Sequence, residues 1–293
     1  MRRRRVLQLA ALALLTGCAP GGTTAGLRIA AGERGGFYVE FAQLLAERLG
    51  AVVVETSGSV DNLDLLDGGA ADLALTLADV AAAERRPLAA LGRVYENYMQ
   101  LVVLDDSPIT AVAGIGGRRV SLGAQRSGAA VFGERLLAAA GITARVEHHG
   151  LTEAVERLDA GAVDALLWSG GVPTPALTAL AGRHPIRLID LTGALPALRA
   201  AHGPAYQSVV VPAGSYAASP PVATIGVSNL LVARPGLPDE VAAAVATTLV
   251  REAPRLIPPS ALGTQYLDLR SLIETGDVPL HPGAAEAYRA LRR

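Results

Sequence analysis

The sequence predicts an α/β protein of two similar lobes with a hinge between them, each lobe a parallel sheet flanked by helices. Two observations carry this. A strand–helix–strand–helix–strand pattern occurs twice, about 92 residues apart, and both copies end in nearly the same words. The composition, 51% hydrophobic and 18% charged over 293 residues, is enough to bury a sizeable core.

The first copy opens with the β-type run Arg28-Ile29-Ala30-Ala31, then a glycine loop, Gly32 to Gly36. Phe37, Phe41, Leu44, Leu45 and Leu49 recur at helical spacing, and Gly50 stands where a left-handed C-cap is expected. Ala51 to Glu55 reads as the second strand. A polar turn and a helix follow, ending at Leu66-Asp67-Gly68-Gly69-Ala70-Ala71-Asp72, and Leu73-Ala74-Leu75 begins the third strand. The second copy repeats each step. Arg119-Val120-Ser121-Leu122 is its first strand, and Gly123 to Gly128 its loop. Phe132, Leu136 and Leu137 mark its helix, Gly141 the cap, and Ala144 to Glu147 the second strand. Leu158-Asp159-Ala160-Gly161-Ala162-Val163-Asp164-Ala165-Leu166-Leu167 matches the end of the first copy. Alternating strands and helices imply a parallel sheet with helices on both faces. Ligands of such sheets bind beyond the carboxyl ends of the strands. If the lobes face one another, loops 32–38, 57–62, 123–128 and 168–173, with Asp79, converge on one cleft.

The N-terminus reads as a targeting segment. Arg2 to Arg5 precede an apolar stretch, Val6 to Leu15, too short to span a bilayer as a permanent helix. Residues 1–17 are expected to be a signal peptide. Leu15-Thr16-Gly17-Cys18 is similar to a bacterial lipobox, in which Cys18 receives the lipid and 18–26 form a tether. Cys18 is the only cysteine, so no disulfide is expected. Beyond the leader no apolar run of about 20 residues occurs. Removing the four leading arginines takes the formal net charge from −1 to −5, and a mildly acidic body without a basic stripe argues against nucleic acid.

Several segments together resemble the TAXI-type solute-binding subunits of tripartite ATP-independent periplasmic (TRAP) transporters. They are Gly32, Gly35, Gly36 and Tyr38; Ser57-Gly58-Ser59 with Asn62; Asp79; Leu122-Gly123 with Ser127-Gly128; Gly170-Gly171 with Pro173; Pro212 to Tyr216; and His281 to Ala284. The resemblance covers almost the whole mature chain. It implies a type II periplasmic-binding-protein fold with two hinge crossings, placed near Leu101–Leu104 and Ile225–Leu231. Lobe 1 would comprise 27–104 and 223–293, lobe 2 residues 105–222. The last 60 or so residues would return to lobe 1 as short helices such as Glu240 to Arg251. The resemblance also implies a small organic acid, a dicarboxylate or glutamate-like molecule, as ligand. Membrane subunits would be the partner, no cofactor would be needed, and a monomer is expected. A sensing module for a membrane histidine kinase and an ABC-type substrate-binding protein share these features.

Candidate ligand-binding residues follow from loops and resemblance together. Ser57-Gly58-Ser59 and Gln125-Arg126-Ser127-Gly128 each open a helix, where backbone N–H groups and the helix dipole favour an anion. Simple serine capping accounts for the same residues. Gly36, Phe37 and Tyr38 border the first loop. Trp168, Gly170 and Gly171 end the third strand of lobe 2, and Tyr216 lies in Pro212 to Tyr216; each aromatic fits a cleft wall or the core. Arg34 and Arg126 occupy matching places in the two copies. Facing each other, they would each hold a carboxylate bidentately, or else pair with carboxylates such as Glu33 at the rim. Members of the resembled family carry small residues at both places, so this chain departs there. His148-His149 is not a metal pair, because adjacent strand residues point to opposite faces. No catalytic residue is expected: the first-lobe site has no Cys, no His and no obvious acid–base pair of carboxylates.

Overall fold

The computed structural model describes residues 23–293 apart from 218, 235, 259 and 260. The expected leader, Cys18 and most of the tether lie outside the described residues.

The first repeat forms β1 (Arg28–Ala30), α1 (Phe37–Leu49), β2 (Val52–Val54), α2 (Ser59–Asp67) and β3 (Leu73–Leu77). After α3 (Ala78–Ala83) the long strand β4 (Ala89–Leu104) leads to the second repeat. That repeat is β5 (Arg119–Ser121), α4 (Gly128–Ala140), β6 (Arg145–Glu147), α5 (Leu151–Asp159) and β7 (Ala165–Gly170). α6 (Pro175–Ala181), β8 (Ile186–Ile189), α7 (Leu195–His202) and β9 (Tyr206–Val211) follow. The long strand β10 (Val222–Ala233) and helices α8 (Asp239–Arg251) and α9 (Pro282–Leu291) finish the chain.

All the strands lie in one curled sheet whose main path is β2-β1-β3-β10-β4-β7-β5-β6. The two parallel trios, β2-β1-β3 and β6-β5-β7, are the two repeats, and each is flanked by a long antiparallel strand. The repeat extends to side-chain chemistry. Arg28 at the start of β1 donates from Nε to Asp72 at 3.1 Å, and Arg119 at the start of β5 does the same to Asp164 at 3.2 Å. Each aspartate also accepts the backbone N–H of its arginine, at 2.9 and 2.8 Å. The shared aspartate therefore ties the first strand of each repeat to the third. Gly50 and Gly141 end α1 and α4 in the left-handed region, φ 66° and 64°, where a side chain would be strained.

β4 and β10 join the halves. Residues 89–98 of β4 pair with β10, and residues 98–104 pair with β7 and β8. In β10, residues 222–227 pair with β9 and 226–233 with β4. The changeover falls at Tyr98 and at Gly226–Val227. Leu101–Leu104 are thus already paired within the second half, while Ile225–Leu231 bracket the other crossing. α8 packs on α1 and on α9, in one apolar cluster with Phe41, Leu45, Val245, Leu249 and Tyr288, returning the chain to the first half. A second apolar cluster runs through both halves, from Leu66 and Leu77 to Leu122 and Phe132. None of the described helices is long and apolar enough to cross a membrane.

Candidate ligand-binding site

The carboxyl ends of β1, β3 and β7 and the N-termini of α1, α2 and α4 meet between the halves. They enclose a cavity of about 40 Å³. A single buried water needs about 10–15 Å³ measured this way. As the halves stand, the cavity has room for only a few water-sized groups.

From the first half come Gly36, Phe37, Tyr38, Ser57, Gly58 and Ser59. From the second come Ser127, Gly128, Trp168 and Gly170. These residues were legible as loop positions after strands. Tyr38 hydroxyl lies 3.2 Å from Ser59 Oγ, which accepts the N–H of Leu77 at 3.1 Å. Burial pushes the Tyr38 hydroxyl far above its ordinary range, so it stays a neutral hydrogen-bonding group. The ring packs edge-on to Tyr95, with Phe37 and Phe41 against the same ring. Tyr38 thus both lines the cavity and packs in the apolar core. Ser127 caps α4 by accepting the N–H of Ala130 at 3.1 Å and still faces the cavity.

The other sequence candidates lie outside the lining, most of them with partners of their own. Arg34 is 85% exposed and donates to Glu55 at 2.9 Å. Arg126 takes φ 69° and reaches back over the first half to pair with Asp61, at 3.0 Å, and with Asp64. The two arginines are therefore paired to carboxylates of the chain at the rim, and neither points into the cavity. Gln125 is exposed. Asn62 donates to the carbonyls of Ala31 and Leu75, the latter at 2.7 Å, and so pins the ends of β1 and β3 together. Tyr216 hydroxyl accepts the N–H of Thr174 at 3.0 Å and donates to Gln100 Oε1. Gly171 backs Phe37, whose ring would lie 2.4 Å from a Cβ at that position.

Asp79 is buried in a contact between the halves. Its Oδ2 accepts from Arg135 of α4 at 2.8 Å and from the Tyr206 hydroxyl of β9 at 3.0 Å. Burial pushes its carboxyl up, and the Arg135 charge opposes that shift. The halves also touch where Arg126 O accepts the N–H of Val60 at 3.1 Å.

Glu33, Asn97 and Ser169 also line the cavity; Glu33 and Ser169 lie in loops the sequence placed at the cleft without being named as ligand-binding, and Asn97 was not anticipated. Asn97 carried a signal: Glu96-Asn97 is a polar pair within a mostly apolar strand, and both residues are buried. Its Nδ2 donates to Ser169 Oγ at 3.0 Å, while its Oδ1 has no partner among the described residues. Trp168 Nε1 is likewise unpartnered, although the residue is only 8% exposed. Both atoms belong to residues that line the cavity, and buried polar groups are ordinarily hydrogen-bonded. Trp168 also spans the closure: its Cη2 would lie 3.5 Å from a Cβ on Gly36 of the opposite half. Trp168 is the single tryptophan, so its emission is expected to change and saturate as a solute fills the cavity. A fluorescence titration that leaves the emission flat while calorimetry records binding would remove Trp168 from the site.

The sequence model of the NMT1-like family matches residues 29–290. Among solved structures, one described as a periplasmic transporter superposes with a TM-score of 0.54 at 13% identity, covering 92% of each chain. The amino acid ABC transporter substrate-binding protein AbpA from Streptococcus pneumoniae, bound to L-arginine, gives 0.49 at 14%, over 79% of this chain and 91% of that one. The periplasmic aliphatic sulphonate binding protein SsuA from Escherichia coli gives 0.43 at 19%, over 91% and 83%. The first of these likenesses shows a shared fold; fold alone does not select a ligand.

Proposed function

This chain belongs to the NMT1-like family, and from that premise we propose that it is an exported solute-binding protein that closes on a small organic acid and hands it to a membrane partner. The observation that carries the reading is the cavity between the halves, with helix N-termini meeting it from both sides. Helix N-termini and serine hydroxyls suit an anionic group. The anion would sit by the starts of α2 and α4, near Ser57, Ser59, Ser127 and Gly128. Tyr38, Trp168 and Asn97 would contact the rest of the molecule.

Function requires that the solute bind the closed arrangement better than the open one, since only differential affinity shifts the equilibrium. The closed form then presents a joint surface of both halves to the partner. By the resemblance in the glycine loops and serine segments, that partner is the membrane part of a TRAP-type transporter. A lipid on Cys18 would hold the receptor at the outer face of the membrane.

A thermal-shift screen of the purified protein against organic acids, amino acids and sulfonates tests the reading. A bound solute raises Tm by mass action, about 2.7 kcal/mol of stabilisation at a hundredfold excess over Kd. A saturable rise with an organic acid is expected. A rise confined to sulfonates or cationic amino acids would replace the ligand class, and no rise with any probe would sink the receptor reading.

A further inference from the structure

The cavity contains a negative charge that the chain itself supplies. Glu33, in the loop between β1 and α1, lines the cavity and reaches across to the second half. There its Oε2 accepts the N–H of Leu151 at 2.7 Å. Leu151 is the first residue of α5, a helix of nine residues whose N-cap, Gly150, provides no side-chain cap. A Cβ at Gly150 would lie 2.9 Å from Glu33 Oε2, so the glycine leaves the carboxylate room. The cap of α5 thus comes from the opposite half. In the internal repeat α5 is the counterpart of α2, whose opening residues Ser57, Gly58 and Ser59 line the cavity.

Among the described residues, Glu33 is the one charged side chain in the lining. The two arginines nearest in sequence to the cavity loops are paired outward, Arg34 with Glu55 and Arg126 with Asp61 and Asp64. Burial pushes the Glu33 carboxyl above its ordinary range, and the Leu151 N–H opposes that shift by stabilising the charged form.

We propose that Glu33 is a specificity-determining residue: held on the α5 N-terminus, its carboxylate places a negative charge on the cavity wall from within the chain, so the cleft accepts an acid with one anionic group and rejects dianions. The inference rests on the solute-binding reading above and narrows its ligand class. A second carboxylate on the guest would face Glu33 across a largely buried cavity with no cation to offset it, and like charges repel strongly where the local dielectric is low.

The test is calorimetric binding of matched monocarboxylates and dicarboxylates of three to six carbons, with and without an amino group. The proteins are the wild type, Glu33→Gly and Glu33→Gln. Gln keeps an oxygen to accept the Leu151 N–H and removes only the charge, so it guards against a variant that loses the cap and with it the fold. The wild type is expected to bind a monocarboxylate at least about tenfold more tightly than its dicarboxylate partner, and both variants to narrow that gap by about tenfold or more. Binding with an unchanged ratio in both variants overturns the proposal and leaves the receptor reading standing. Binding of no acid by any of the three proteins overturns the organic-acid reading, and the proposal falls with it.

Discussion

Arg135→Ala is expected to destabilise the protein by about 3–5 kcal/mol, the usual result of removing one partner from a buried ion pair. Asp79 has no exposed side-chain surface, and Arg135 is 16% exposed. After the substitution the carboxylate would keep the Tyr206 hydroxyl at 3.0 Å and the N–H of Val80 at 2.9 Å, two dipoles in place of a charge. Because α3 belongs to the first half while α4 and β9 belong to the second, part of the loss falls on the contact between them. Urea unfolding of wild type and variant measures the change, and Tm should fall by roughly 10 °C for a chain of this size. Replacing both partners with apolar residues of similar volume, Asp79→Leu with Arg135→Met, should restore much of the loss, since no charge is then left buried. A loss below about 1 kcal/mol in the single variant would show that the pair is solvated in solution.

The second large effect concerns closure. A Cβ on Gly128 would lie 2.4 Å from Leu77 Cδ1 and 2.8 Å from Ser59 Oγ, both on the opposite half. Neither neighbour has slack, because Leu77 is buried in the shared apolar cluster and Ser59 is held by Tyr38 and the Leu77 N–H. Gly128→Val is therefore expected to hold the halves apart. Overpacking of this kind costs about 1–3 kcal/mol, which is a loss of up to about 100-fold in affinity for a solute that needs closure. The clash exists only when the halves meet, so the unfolding free energy of the open protein should change much less than the affinity. Small-angle scattering, giving a larger radius of gyration with solute present, and calorimetry check the two halves of this expectation. Unchanged affinity would mean that binding does not require the contact between Gly128 and Leu77.

Legibility followed the range of the interactions. Each repeat was readable because its signals are local: a β-type run, a glycine loop, helical spacing and a left-handed glycine cap all lie within about 50 residues. The matching endings exposed the aspartates, but not their pairing with Arg28 and Arg119, which closes 44 and 45 residues away. Loop positions after strands identified much of the lining, including Tyr38, Ser59, Gly128 and Trp168. The residues placed by contacts between halves were the ones that moved. Asp79 reads as a site residue by position, and Arg135, 56 residues on, takes its carboxylate. Arg34 and Arg126 read as a matched pair of clamps, yet each swings to a carboxylate of the first half. Glu33 reads as a rim carboxylate and instead caps a helix 118 residues away.

By itself, then, the sequence determined two βαβαβ units, the loops that face each other, and the helices α1, α2 and α4 whose starts form the cavity. Periodicity and glycine placement act within a few turns of chain, and they suffice for that. Only the tertiary structure decided which charges enter the cavity. An ionised side chain goes to whichever opposite charge or N–H group the fold brings within about 3 Å, and for Glu33, Asp79 and Arg126 that partner stands on the other half of the molecule.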